Sequence, residues 1–157
     1  MKKIFLAADH AGLDVKGQIK EILRKRNLDF EDLGPFEYNS LDDYPDFISR
    51  VAKKVSNNPE KNIGIILGGS GQGEAIVANR FANVRAIVYY GGPKEILKLS
   101  KEHNNANILS LGARFIKKEE MEWVINTWLD EIFTNEKRHV RRIKKIEKYS
   151  QKKCILF

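Results

Sequence analysis

The stretch Ile63-Gly64-Ile65-Ile66-Leu67-Gly68-Gly69-Ser70-Gly71-Gln72-Gly73-Glu74 joins an apolar run to a glycine-rich run, and a helical pattern follows from Ala75 to Arg80. This order predicts a buried strand, a loop and a helix. Glycines let a loop backbone approach a ligand closely, and N–H groups beside a helix N-terminus attract anions. The stretch therefore predicts an anion-binding loop in an α/β fold.

The glycine run differs from the two common nucleotide-binding loops. Glu74 stands where the last glycine of G-x-G-x-x-G would be, and no Lys-Ser/Thr pair follows Gly73 as in a P-loop. A carboxylate here would repel bound phosphate, so Glu74 indicates a site where negative charge develops in a transition state and a proton is transferred. The alternative interpretation is a tight turn in which the glycines serve packing only.

On both sides of the loop, short apolar runs alternate with helical patterns. The predicted strands are Lys2–Ala8, Leu28–Leu33, Ile63–Leu67, Val84–Tyr90 and Asn107–Leu111. The predicted helices are Leu13–Arg26, Pro45–Val55, Ala75–Arg80, Pro93–His103, Lys117–Phe133 and Asn135–Tyr149. This alternation predicts a Rossmann-like three-layer α/β sandwich with a five-stranded parallel sheet and a C-terminal helix extension.

Composition favours a single cytoplasmic domain. The chain has 157 residues, 42% of them hydrophobic, and no apolar stretch of the roughly 20 residues that cross a membrane. The apolar N-terminal run is too short for a signal peptide because it reaches Asp9 and His10. The lone Cys154 excludes an internal disulfide framework and is typical of a reducing cytosol. The last four residues match a prenylation box formally, and we interpret them as a frayed tail.

The positive charge is concentrated at the C-terminus. Residues 137–153 hold nine Lys or Arg and one Glu, whereas the rest of the chain holds 19 basic and 20 acidic residues. We divide the chain into an α/β unit at 1–134, a basic helix of the same domain at 135–149 and a tail at 150–157. The basic helix indicates either nucleic-acid binding or a solvated face.

Polar residues follow the predicted strands at the edge of the sheet where α/β proteins bind ligands. Asp9 and His10 follow the first strand, the glycine loop follows the third, and Arg114 follows the fifth. His103 and Asn104 lie instead at the end of a helix, just before the fifth strand.

Seven motifs together resemble the ribose-5-phosphate isomerase type B family, which also includes the galactose-6-phosphate isomerase subunits. They are Ala8-Asp9-His10-Ala11-Gly12, Asp43-Tyr44-Pro45, Gly68 to Glu74, Ala78-Asn79-Arg80, Glu102-His103-Asn104-Asn105-Ala106-Asn107, Gly112-Ala113-Arg114 and Arg138-His139-x-Arg141-Arg142. They occur in the family's order, and the resemblance covers residue 2 to about residue 149.

The chain departs from many members of that family at one position. Those members have a cysteine where this chain has Gly68. Glu74 matches the glutamate of a second branch, similar to the actinobacterial enzymes. A partly desolvated carboxylate suits the role of general base, because desolvation raises its pKa.

The resemblance implies an enzyme that interconverts ribose 5-phosphate and ribulose 5-phosphate through an enediolate in the pentose phosphate pathway. The implied catalytic residues are Glu74, Ser70, His103 and Asp9. The implied substrate-binding residues are His10, Tyr44, Gly69, Gly71, Gly73, Asn104, Arg114, Arg138 and Arg142. No cofactor or metal and no nucleic-acid or membrane partner is implied. A homodimer, or a dimer of dimers, would share its active sites between subunits.

Three alternatives stay open at this point. The sugar could be the six-carbon allose or galactose 6-phosphate, the protein could bind sugar phosphates without converting them, or the basic helix could bind nucleic acid or a nucleotide. One observation distinguishes an isomerase from a nucleic-acid binder. In an isomerase, Glu74 and Ser70 point into the same cavity as Arg138 and Arg142.

Overall fold

The protein folds around one sheet of five parallel strands. The computed structural model describes residues 2–150, so the predicted tail from residue 151 onward, with Cys154, lies outside the described residues. The strands, in spatial order, are β2 (Phe30–Asp32), β1 (Lys3–Ala8), β3 (Asn62–Gly68), β5 (Ile108–Gly112) and β4 (Ala86–Tyr89). Every neighbouring pair is parallel, which confirms the predicted sheet.

Within residues 2–150, six α-helices connect or follow the strands. They are α1 (Leu13–Lys25), α2 (Tyr44–Asn57), α3 (Gln72–Ala78), α4 (Glu95–Glu102), α5 (Met121–Asp130) and α6 (Lys137–Ser150). The predicted bounds of two helices were wrong. α3 begins three residues earlier than predicted, because Gly71 turns the chain directly into it. α5 is shorter than predicted, because a 3₁₀ turn precedes it and the backbone becomes extended at Glu131.

The helices cover both faces of the sheet and bury two separate cores. Alternate residues of β1 point to opposite faces, as the pleat of a strand requires. Ile4 and Leu6 pack with α1, α4 and α5, whereas Phe5 and Ala7 pack with α2 and α3. The result is the predicted three-layer α/β sandwich.

Helix α6 lies outside these layers and contacts the amino-terminal edge of the sheet. The Arg85 guanidinium, just before β4, is 2.7 Å from a carboxylate oxygen of Glu147. The segment before α6 is held at the end of α4, because the Thr134 hydroxyl donates to the Glu102 carbonyl oxygen at 2.8 Å. Among residues 2–150, no helix combines the length and apolar character needed to cross a membrane.

Candidate active site

The glycine loop crosses the carboxyl end of β5, where only glycine fits. Gly71 has a φ of +77°, and a Cβ there would lie 2.9 Å from the carbonyl carbon of Leu111. The Ser110 hydroxyl donates to the Gly71 carbonyl oxygen at 2.6 Å and holds the turn in place. The sheet thus sets the direction in which the loop leaves β3.

The loop presents backbone N–H groups that make no hydrogen bond to the described residues. Within the described residues, the amides of Gly69, Ser70 and Gly71 donate to no backbone or side-chain acceptor. Gly69 is half-buried and Gly71 is buried, where amides normally have partners, so this row is available to an anion or an oxygen that becomes anionic.

Glu74 lies in the first turn of α3 and is almost fully buried, with 4% of its surface exposed. Its carboxylate fills the space beside Gly68, where a Cβ would be 1.9 Å from Oε1. Burial is the main cause that raises the pKa of Glu74, and the negative charge of Asp9 raises it further, while a backbone hydrogen bond opposes them. The lack of a side chain at Gly68 therefore makes room for this carboxylate.

These groups border one cleft of about 400 Å³ at the carboxyl edge of the sheet, which we call the Glu74 cleft. It is lined by Asp9, His10, Ala11, Tyr44, Gly69, Ser70, Gly73, Glu74, Arg114 and Phe115. The structure thus brings most of the predicted site residues together. Gly71 lies beside the cleft as the N-cap of α3.

Two side chains reach the loop because its glycines carry no side chains. A Cβ on Gly69 would be 3.3 Å from the guanidinium carbon of Arg114, and one on Gly73 would be 2.8 Å from the Tyr44 hydroxyl. Arg114 places a fixed positive charge over the loop. The glycines therefore shape the cleft as well as the backbone.

Sequence reasoning missed one residue at this site, Asp42. Its Oδ1 lies 2.6 Å from Nδ1 of His10, and its side chain is only 5% exposed. The other oxygen, Oδ2, is buried without a hydrogen-bond partner in the described part of the chain. The run Asp42-Asp43-Tyr44-Pro45 indicated only a helix start, since nothing local shows that position 42 returns to position 10.

A second set of predicted residues lies away from the cleft. His103 stacks on His139, with ring centroids 4.2 Å apart and planes 13° apart. We call His103, Asn104, Arg138, His139 and Arg142 the His103 cluster. It lies at the amino-terminal edge of the sheet, next to the start of β5, whereas the Glu74 cleft lies at the carboxyl edge. One chain therefore does not bring Glu74 and Ser70 into the same cavity as the two arginines.

The sequence analysis assigned no role to His139, although it belongs to the His103 cluster. It is 2% exposed, and its Nε2 is buried without a hydrogen-bond partner among residues 2–150; the nearest carboxylate oxygen, of Glu136, is 3.8 Å away. Burial lowers the pKa of His139, and the charges of His103 and Arg138 lower it further.

The structure offers no obvious metal centre in the part of the chain that it describes. No group of three or more His, Cys, Asp or Glu side chains within residues 2–150 is arranged to hold a metal ion.

Comparison with known proteins identifies the family. Residues 4–146 match the model of the ribose/galactose isomerase family. The chain is 38% identical over 148 residues to a probable ribose-5-phosphate isomerase B of Mycoplasma genitalium, covering 94% of this chain and 95% of that protein. It is 32% identical over 149 residues to ribose-5-phosphate isomerase B of Mycobacterium tuberculosis, covering 95% of this chain and 90% of that protein.

Solved structures give the same result. The crystal structure of ribose-5-phosphate isomerase B from Mycoplasma genitalium with bound ribulose-5-phosphate has a TM-score of 0.90 at 37% identity, covering 96% of this chain and 97% of that one. Ribose-5-phosphate isomerase B of Clostridium thermocellum has a TM-score of 0.88 at 35% identity, covering 96% of this chain and 98% of that one. Matching sequence, fold and length together show that the chain belongs to the ribose/galactose isomerase family.

Proposed function

We propose that this protein is an aldose–ketose isomerase that interconverts ribose 5-phosphate and ribulose 5-phosphate, with Glu74 as the general base. The observation that carries the proposal is a desolvated carboxylate beside a row of unused backbone amides in one cleft. The family and its ribulose-5-phosphate-bound relative favour this activity over nucleic-acid binding.

The first chemical step is removal of the proton at C2 of the open-chain aldose. A carboxylate whose pKa is raised by burial binds that proton more strongly than an exposed one, which lowers the cost of the transfer. The same carboxyl group then returns the proton to C1. Asp9, buried beside it, contacts the sugar hydroxyls in this proposal.

The enediolate carries negative charge on oxygen, and the loop supplies the compensation. The amides of Gly69, Ser70 and Gly71 need no reorganisation to accept this charge, since none of them donates to an acceptor within residues 2–150. One well-placed donor of this kind contributes about 3–4 kcal/mol to the transition state. The Ser70 hydroxyl assists proton transfer between the sugar oxygens, and Asn104 adds a side-chain donor.

The substrate's phosphate and ring require residues from both edges of the sheet. His10 and Arg114 border the Glu74 cleft, whereas Arg138 and Arg142, proposed as the phosphate clamp, belong to the His103 cluster. His103, proposed to open the sugar ring, belongs to the same distant cluster. Since β5 alone has five residues at about 3.3 Å each, one chain does not bring the two sets to one substrate.

We therefore propose a homodimer in which the His103 cluster of one subunit faces the Glu74 cleft of the other. A two-fold symmetric interface would build two such composite sites. The division between the two sets follows the two edges of the sheet, so all the residues that cross over would come from the α4–β5 connection and α6.

The proposal is tested by complementation. Glu74→Gln and His103→Ala are each expected to lose turnover of ribose 5-phosphate and exchange of the C2 proton with solvent. After the two inactive variants are mixed and their subunits exchanged, about a quarter of wild-type activity is expected, because half of the dimers are hybrids with one intact site.

Two controls make the result specific. Cys154→Ala should retain full activity, since the tail thiol has no role in this chemistry. Ribose 5-phosphate, allose 6-phosphate and galactose 6-phosphate are compared as substrates. Near-normal turnover by Glu74→Gln would show that the base is elsewhere, and full activity of a strict monomer in sedimentation would contradict the shared site.

A further inference from the structure

A large cavity of the described chain lies away from the Glu74 cleft, at the same edge of the sheet as the His103 cluster. It has a volume of about 760 Å³ and opens at the amino-terminal edge of the sheet, beneath the segment that joins α5 to α6. Its apolar walls include Leu28, Ile63, Leu129 and Phe133, and its polar walls include Lys2 and Lys101. We call it the Lys101 cavity.

Lys101 is buried there without a counter-charge. It is 8% exposed, yet no carboxylate lies within ion-pair distance of its ammonium and no hydrogen-bond acceptor contacts it among residues 2–150. Its Nζ lies 3.7 Å from the centroid of the Trp128 ring, so the favourable contact that the described residues offer its ammonium is with the ring face. The indole Nε1 of the same tryptophan is buried without an acceptor in the described part of the chain.

The comparison with Lys16 shows that this situation is unusual within the protein. Lys16 is 2% exposed, but its ammonium is 2.7 Å from Asp32 and 2.6 Å from the Pro35 carbonyl oxygen. A buried ammonium normally has such partners, because leaving water without them is costly. Lys101 has no such partner among residues 2–150, and its side chain borders a large cavity.

The charges that act on Lys101 are positive. Lys2, at the start of β1, and Arg85, before β4, both oppose its protonation, and burial opposes it more strongly, which lowers the pKa of Lys101 to about 7. The acidic residues of the cavity do not compensate for this. They are Glu60, Asp130 and Glu131, of which Asp130 is paired with Arg26.

We propose that the Lys101 cavity is a binding site for a small organic anion, a carboxylate or phosphate monoester with an apolar body, whose anionic group pairs with the Lys101 ammonium. The apolar walls take the body of the ligand. The anion supplies the acceptor and the negative charge that Lys101 lacks, and it removes the repulsion from Lys2 and Arg85. Its lining includes none of the residues assigned to the isomerase chemistry, and the proposal does not depend on that chemistry.

Protonation gives this binding a characteristic pH dependence. The free amine is partly neutral near neutral pH, and the anion binds the ammonium form, so binding takes up a proton. Affinity is expected to fall as pH rises above about 7, by at most about tenfold per pH unit while the bound form stays protonated.

The test reads Lys101 itself, because phosphate esters would also bind the proposed phosphate clamp. The protein is treated with a low dose of acetic anhydride at pH 8 with increasing benzoate or phenyl phosphate, and acetylation of each lysine is followed by peptide mass spectrometry. Protection of Lys101 by several-fold, with the exposed Lys98 on the same helix unchanged, is the expected result. Benzyl alcohol, which has the apolar body but no charge, should protect far less.

Calorimetry supplies the second measurement. In the Arg138→Ala/Arg142→Ala background, phenyl phosphate should still bind at Lys101 with proton uptake, seen as a heat that differs between buffers. Lys101→Met, which keeps the apolar stem, should abolish that binding, whereas Lys98→Met should not. Unchanged Lys101 labelling at saturating benzoate and phenyl phosphate, or equal protection by benzyl alcohol, would overturn the proposal.

Discussion

The carboxylate of Glu74 occupies the space that a side chain at position 68 would need, since a Cβ on Gly68 would be 1.9 Å from Oε1. Positions 68 and 74 therefore cannot both carry a large side chain in this geometry. A cysteine at position 68, combined with a small residue at 74, would place a thiol in the space that the carboxylate fills here.

This relationship predicts that the two positions compensate for each other. Gly68→Cys alone should destabilise the protein by about 1–3 kcal/mol through overpacking and should lose activity because Glu74 is displaced. Glu74→Ala alone should lose activity and stay folded. The double variant Gly68→Cys/Glu74→Ala should recover the melting temperature and part of the isomerase rate. A double variant no more stable than Gly68→Cys would show that the two side chains do not compete.

The buried carboxyl of Glu74 should make stability depend on pH in a definite direction. Its pKa is raised in the folded protein above the ordinary 4.5, so the folded state binds the proton more tightly than the unfolded state. Stability is therefore expected to fall as pH rises from 4.5 through the folded pKa. Glu74→Gln should lack this component, so the wild type should lose stability relative to the variant over that window in urea titrations. A constant difference across the window would contradict the raised pKa.

Activity should show the opposite dependence on the same group. The base must be ionised to accept the C2 proton, so kcat/KM is expected to fall as pH drops through the raised pKa of Glu74. In the Gly68→Cys/Glu74→Ala variant, this acid limb should move to higher pH. An unperturbed thiol has a pKa of about 8.5, which is well above that of a carboxyl group. An acid limb at the same pH in both proteins would assign it to another group.

Asp42 is expected to act as a positioning residue for His10. Because an ionised carboxylate only accepts hydrogen bonds, the contact keeps the proton on Nδ1 of His10, whose side chain lines the cleft. Asp42→Asn should raise KM for ribose 5-phosphate by about tenfold, the equivalent of a lost charged hydrogen bond, with a smaller change in kcat. The exposed Asp43→Asn serves as the control. Equal changes in KM and kcat for Asp42→Asn would indicate a general loss of structure.

Arg138 and Arg142 should matter for the phosphate and not for the sugar. Each alanine variant is expected to raise KM for ribose 5-phosphate by about tenfold or more and to affect unphosphorylated ribose much less. Lys144→Ala, on the opposite side of α6, should leave both substrates unchanged. Equal losses with both substrates would mean that the arginines support structure.

Much of the fold could be predicted from the sequence because its signals are local. The apolar run before Gly68, the glycines after it and the helical spacing that follows lie within a few residues of one another, so the strand, loop and helix follow from backbone and side-chain preferences. Placing Asp9, the loop and Arg114 at one edge needs only the rule that parallel strands end together. The bounds of α3 and α5 were less predictable from the sequence. They are set by the turn at Gly71 and by the extended backbone at Glu131, and helical spacing does not indicate either feature.

The sequence by itself thus determined the α/β class, the glycine loop and the residue types of the site. Only the tertiary structure decided which of those residues meet. Asp42 returns to His10 across 32 positions, His139 stacks on His103, and Glu74 turns back into the space beside Gly68. It also placed Glu74 and Arg138 at opposite ends of the strands, and it buried Lys101 with no carboxylate of residues 2–150 at ion-pair distance. Such contacts depend on how segments far apart in the sequence pack together, and no local sequence pattern encodes that packing.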